Sequence, residues 1–220
     1  MMENSPDPAA SVPSAAALAA RIAQCTLCQG RFALTATAHH PRPVPWFSAR
    51  ARILIAGQAP GARVQAHASG RPFVDASGDR LRQWLGLEEA VFYDQSRIAI
   101  VPMAFCFPGY DAKGSDLPPP PLCAATWHDE VMAALSQVRL VIPVGLYAAR
   151  YHLRRLGAKS APLAQVVRQG AGSAARHFGP QTRCYPLPHP SWRNTGWLKK
   201  NPWFEAEILP ALRQQVTDVL

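Results

Sequence analysis

Four cysteines fall as two distant pairs in this 220-residue chain: Cys25 and Cys28 with two residues between them, Cys106 and Cys123 with sixteen. Soft thiolates in such a set suit an iron-sulfur cluster or a tetrahedral zinc ion. Buried thiols or two disulfides are the competing account, and disulfides would call for an oxidising compartment. The segment Met1–Pro13 has no basic leader region and carries Glu3 and Asp7, so a cytoplasmic, intracellular protein is expected. Cys184 stands apart in the apolar run 183–187 and reads as a core thiol.

A second set of residues suits reaction chemistry. Gly57-Gln58-Ala59-Pro60-Gly61 is a turn whose glycines admit close approach of a ligand to the backbone, and His189-Pro190-Ser191 offers an imidazole able to donate a hydrogen bond. Phe73, on the turn Gly70-Arg71-Pro72, reads either as a core aromatic or as a face on which a planar ring stacks. Asp75, before Ala76-Ser77-Gly78-Asp79, is open to two roles, a charged group in a site or the cap of the next helix. The run 192–200, Trp192-Arg193-Asn194-Thr195-Gly196-Trp197-Leu198-Lys199-Lys200, interleaves aromatics with positive charge.

The elements that must position these residues alternate. Ser14 precedes a short helix, 15–24, that delivers Cys25. Ile53-Leu54-Ile55-Ala56 is a buried strand that ends at the Gly57 turn, and Ser77 is expected to cap a helix over 78–87. A second strand, 98–101, leads into a Pro- and Gly-rich connection, 108–121, with Cys106 and Cys123 at its ends. A helix over 124–136, a strand over 140–145, a helix over 147–156, a strand over 183–187, a loop over 189–202 and a closing helix over 203–219 kinked at Pro210 complete the order. Strand-helix alternation predicts a parallel sheet covered on both faces, with ligands bound beyond the carboxyl ends of its strands. The motif loops follow strands, so they are expected to meet there.

Size and charge bound the rest. The length suits one domain, here 25–220, preceded by an arm and short helix over 1–24. No apolar run approaches the ~20 residues of a membrane span. The net charge of +9, from 23 Lys and Arg against 14 Asp and Glu, suits a polyanion such as nucleic acid, although a solvated Arg-rich surface has the same composition.

In order and spacing, the 57–61 turn, the 70–78 segment, the cysteine pairs and His189-Pro190-Ser191-Trp192-Arg193-Asn194 resemble the iron-sulfur branches, families 4 and 5, of the uracil-DNA glycosylase superfamily. The resemblance spans nearly the whole chain from Cys25. It implies a three-layer α/β/α sandwich around a four-stranded parallel sheet, a [4Fe-4S] cluster on Cys25, Cys28, Cys106 and Cys123, and removal of uracil from the DNA of a bacterial cell. Gly57, Gln58, Ala59, Pro60, Gly61, Phe73, Ser191 and Asn194 would then surround the extruded base, with Phe73 stacking on it. His189 would donate to the departing uracil, and Asp75 would stabilise the sugar cation and orient water. Trp192 or Arg193 would wedge into the vacated stack, with Lys199 and Lys200 on phosphates.

Three positions depart from the family. Ala59 stands where the best-known branch, family 1, carries a catalytic Asp, Gln58 replaces a Glu common in family 4, and Pro102 stands where family 4 has the Asn that reads the uracil edge. The expected activity is a monomeric, monofunctional glycosylase that leaves an abasic site. The alternatives are a non-catalytic nucleic-acid-binding module with a metal staple, or a glycosylase of the same fold that prefers another deaminated base.

Overall fold

The computed structural model describes residues 14–66, 69–154, 161–175 and 178–220. The expected arm over 1–13 and the last two residues of the helix expected over 147–156 lie outside them. A five-stranded sheet forms the centre: β1 Ile53–Ala56, β2 Ile98–Ile100, β3 Leu140–Pro143, β4 Ser173–Ala174 and β5 Arg183–Cys184, in the order β2-β1-β3-β5-β4. The first four strands in that order run parallel and β4 pairs antiparallel with β5. The expected count of four misses β4, which has two residues and no alternation to read.

Alternation along the strands divides the core. Ile53, Ile55, Ile98, Ile100, Leu140 and Ile142 face one layer, while Leu54, Ala99 and Val141 face the other. Over the first layer lie α4 (Ala76–Leu85), α5 (Glu89–Phe92) and α10 (Leu209–Val219), through Leu81, Trp84, Phe92, Leu212 and Val216. Over the second lie α1 (Ala15–Ala23), α6 (Pro121–Ala134) and α7 (Leu146–Arg154), through Leu18, Ile22, Trp127, Val131 and Ala149. Short helices α2 (Gln29–Ala33), α3 (Ala62–Ala66), α8 (Leu163–Gly170) and α9 (Thr195–Lys200) fill the connections. The architecture is therefore the expected α/β/α sandwich.

Several boundaries shift for local reasons. Asp75, not Ser77, caps α4: its Oδ1 accepts from the N–H groups of Ser77 and Gly78, both at 3.0 Å, from an extended backbone at φ −133°. Helix α6 starts at Pro121, whose missing N–H suits a first helical turn, so Cys123 sits on that turn rather than at a loop end. The 189–202 loop holds a single tight turn, Trp192–Asn194, and then α9. Before α10 the backbone widens into a π-turn over Phe204–Ile208, since Pro210 cannot donate to Ala206. Among the described residues no helix is long and apolar enough to cross a membrane.

Candidate active site

Beyond the carboxyl ends of β1, β2 and β5 the connecting loops enclose a cleft of about 620 Å³. It is lined by the whole 57–61 turn, Phe73, Asp75, Pro102, Tyr110, Asp116, His189, Ser191, Trp192, Arg193 and Asn194. The two motif loops and the 73–75 segment thus meet, as parallel topology requires. Lys199 and Lys200 are exposed on α9 and do not line the cleft.

The first turn is tied down through its carbonyls. Met103 and Ala104 donate to Gly57 O and Gln58 O at 2.9 and 3.1 Å, which couples the turn to the loop after β2. The Gln58 side-chain nitrogen donates to Leu117 O at 3.3 Å, so that end of the amide is committed within the protein. The backbone N–H groups of Gln58 and Ala59 have no partner among the described residues. Pro102 lines the floor without a side-chain donor, and its carbonyl accepts from Nε2 of the buried His128 at 3.0 Å.

Phe73 is held in an uncommon backbone state. Its φ is +58°, a left-handed conformation that costs a bulky residue about 1 kcal/mol or more. Tyr93 Oη donates to Phe73 O at 2.9 Å, and a Cβ on Gly78 would lie 1.8 Å from that same oxygen. The turn is therefore fixed by one hydrogen bond and permitted by one glycine. It leaves the ring edge-on to Phe92, with centroids 6.4 Å apart, and its tip over Gly57.

Asp75 has both roles that the sequence left open within its reach. Its two capping bonds fall on Oδ1, so Oδ2 is the oxygen left to the cleft. His189 Nδ1 accepts the Ser191 N–H at 3.2 Å, which places the ring proton on Nε2. Burial lowers the His189 pKa from its ordinary 6.5, against the upward pull of Asp75 and Asp116. The ring is thus a neutral donor. Asn194 Nδ2 donates to His189 O at 2.8 Å and Arg80 donates to Ser191 O at 3.3 Å, so the segment behind the imidazole is braced on both sides.

Asp116 was not legible in the sequence. It lies in the Pro- and Gly-rich connection, which folds back as a small hairpin: Tyr110 bridges Asp116, and Asp111 Oδ1 accepts from the N–H groups of Lys113 and Ser115. Asp111-Ala112-Lys113-Gly114 is the turn signal that would have located it. Partial burial raises the Asp116 pKa, while Arg193 and His189 pull it down. Trp192 is 76% exposed at the rim, with the Arg193 guanidinium 5.9 Å from its ring centre.

The four paired cysteines line one small apolar pocket of about 20 Å³, with Ile22, Phe32, Phe105 and Trp127 around them. The described residues include no group of three or more His, Cys, Asp or Glu drawn to metal-holding distance. The donor set nonetheless fits a thiolate-held group. Phe105 N donates to Cys123 Sγ at 3.5 Å and the Arg42 N–H to Cys106 Sγ, the kind of bonds that stabilise ligated sulfur. Burial pushes the Cys106 thiol up to about 12 and Cys123 to about 11. Cys184 lies apart, on β5, with its side chain fully buried in the second core layer.

Fold and cleft together define an α/β protein whose cleft opens at the carboxyl edge of a parallel sheet, the place where this class of fold binds its ligands. Residues 44–213 match the family model described as the Uracil DNA glycosylase superfamily, and the chain belongs to that superfamily of DNA glycosylases. The match includes the whole cleft, Cys106 and Cys123, and starts after Cys25 and Cys28.

Proposed function

We propose that the protein extrudes uracil from DNA and hydrolyses its N-glycosidic bond, leaving an abasic site without cutting the strand. The observation that carries this reading is the neutral His189, its Nε2–H free to donate, in one cleft with the open oxygen of Asp75. Cleavage builds negative charge on the departing base and positive charge on the sugar. A neutral imidazole donor stabilises the uracil anion at its O2 without full proton transfer, and the Asp75 carboxylate balances the sugar cation while orienting the attacking water. The ring of Phe73 serves as the stacking face for the extruded base. Trp192 or Arg193 fills the vacated stack, and Lys199 and Lys200, outside the cleft, serve as phosphate contacts along the strand. Among the described residues no lysine lines the cleft to form an imine with the sugar, which supports a monofunctional enzyme.

Cys25, Cys28, Cys106 and Cys123 would hold a [4Fe-4S] cluster of the kind found in families 4 and 5. It would clamp α1 and the hairpin-bearing connection to the sheet rather than take part in the reaction. Pro102 favours a second reading within the same chemistry, a glycosylase of broader base choice, because that floor position offers no side-chain hydrogen bond. A single-turnover assay on duplexes that differ only in the modified base, run beside Asp75→Ala and His189→Ala, tests both. Uracil release lost in both variants supports the proposal; release unaffected by either variant refutes the assigned roles.

A further inference from the structure

At the opposite edge of the sheet, arginine opens one strand after another. Arg97, Arg52 and Arg139 directly precede Ile98, Ile53 and Leu140, which are register partners across β2, β1 and β3, and Arg183 is the first residue of β5. The backbones link in the same row: Arg52 N donates to Arg97 O, Arg139 N to Arg52 O and Arg183 N to Arg139 O, at 2.8 to 2.9 Å.

Only the outermost of the four is neutralised, by an ion pair between Arg97 and Asp94 at 3.3 Å. Among the described residues the other three make no ion pair. Their Nη1 atoms donate to backbone carbonyls instead, Arg52 to Val219, Arg139 to Ser136 and Val138, and Arg183 to Gly172. These bonds orient the side chains, and none of them neutralises a charge.

The three guanidiniums line one open depression of about 470 Å³ with the amides of Gln137, Gln181 and Gln215. Its one carboxylate, Asp218, already accepts from Gln214 and Gln215, and the carbonyl end of α10 adds only roughly half a negative charge. Adjacent strands are about 4.8 Å apart, so the row spans on the order of 10 Å. Four consecutive phosphates of one strand, three steps of about 3.4 Å along the axis, cover the same distance. Guanidiniums present planar forks of donors that match phosphate oxygens.

We infer that Arg52, Arg139 and Arg183 form a second phosphate-binding site, at the amino edge of the sheet, that takes a chain of phosphates such as a nucleic-acid backbone. The cleft lies across the sheet beyond the other strand ends, so the site does not depend on the reaction proposed there.

The test compares the full chain with R52Q/R139Q/R183Q, using an undamaged 12-base-pair duplex and inorganic tripolyphosphate as separate probes across a salt series. Wild type should bind a second equivalent that the triple variant lacks, and in the single variants R52Q and R183Q the slope of log duplex affinity against log salt for that equivalent should fall by about 0.9. These single variants carry the test should the triple variant fold poorly. Binding of the duplex identifies nucleic acid as the source of the phosphates, and binding of tripolyphosphate alone identifies a free phosphate compound. An unchanged stoichiometry and slope with both probes overturns the site. Base release by the triple variant at saturating substrate should equal wild type, which separates failure here from failure of the cleft reading.

Discussion

Tyr93 Oη donates to the carbonyl of Phe73 at 2.9 Å and pins that residue at φ +58°, the conformation that sets its ring over Gly57 at the cleft. The hydroxyl belongs to a residue just after α5, 20 positions along the chain, so an element of the core layer fixes a side chain of the site. Tyr93→Phe removes the donor and should cost about 1 kcal/mol of stability. The affinity for a uracil-containing duplex should fall with it. Gly78→Ala should do more harm, because its methyl would meet the Phe73 carbonyl; overpacking of this kind costs about 1–3 kcal/mol. Melting curves and duplex titrations check both, and a Gly78→Ala protein with wild-type affinity would show that the turn is not held this way.

The capping and chemical roles of Asp75 separate by substitution. Asparagine caps a helix as well as aspartate does, so Asp75→Asn should keep the melting temperature while slowing base release on the order of 100- to 1000-fold. Asp75→Ala should lose the rate and also about 1 kcal/mol of stability. If Asp75→Asn releases base at the wild-type rate, the carboxylate is a cap alone.

The pH profile reads His189 directly. Burial holds its pKa below 6.5, so the neutral donor form persists through neutrality. As pH falls through that lowered value, Nδ1 gains a proton and can no longer accept from Ser191. The stability tied to the neutral ring is therefore present above pH 6.5 and lost on acidification through the folded pKa. Single-turnover rates should show an acid limb centred below pH 6.5. Asp116→Asn removes a negative neighbour that raises the His189 pKa, so it should move the limb to still lower pH. A limb above pH 6.5, or a shift upward in that variant, contradicts the assignment.

Metal content distinguishes the paired thiols from the fifth. Purified protein should be brown with iron bound, and Cys123→Ser or Cys106→Ala should lose both colour and iron with a lower melting temperature. Cys184→Ser should keep the iron, since that side chain, on β5, does not line the cysteine pocket. Colourless protein containing zinc would replace the cluster with the other thiolate-held group.

Runs such as Ile53-Leu54-Ile55-Ala56 and Leu140-Val141-Ile142 mark their strands because a strand covered on both faces needs apolar side chains at every position. The alternation of strand and helix then fixes parallel order and the edge at which the motif loops gather. Hence the architecture and the company of Gln58, Phe73, Asp75 and His189 are legible in the sequence. Element ends were less so. A two-residue strand carries no period, and whether Asp75 or Ser77 caps α4 depends on which oxygen reaches two N–H groups.

What composition and order determined on their own is the α/β class, the motif loops and the pairing of thiols, all of which follow from local periodicity and residue chemistry. Tertiary structure alone decided the left-handed turn at Phe73, the proton on Nε2 of His189, the arrival of Asp116 from the hairpin and the row of arginines along the far edge. Each of these depends on groups distant in sequence meeting at hydrogen-bonding range or in strand register, a relationship that no periodicity along the chain encodes.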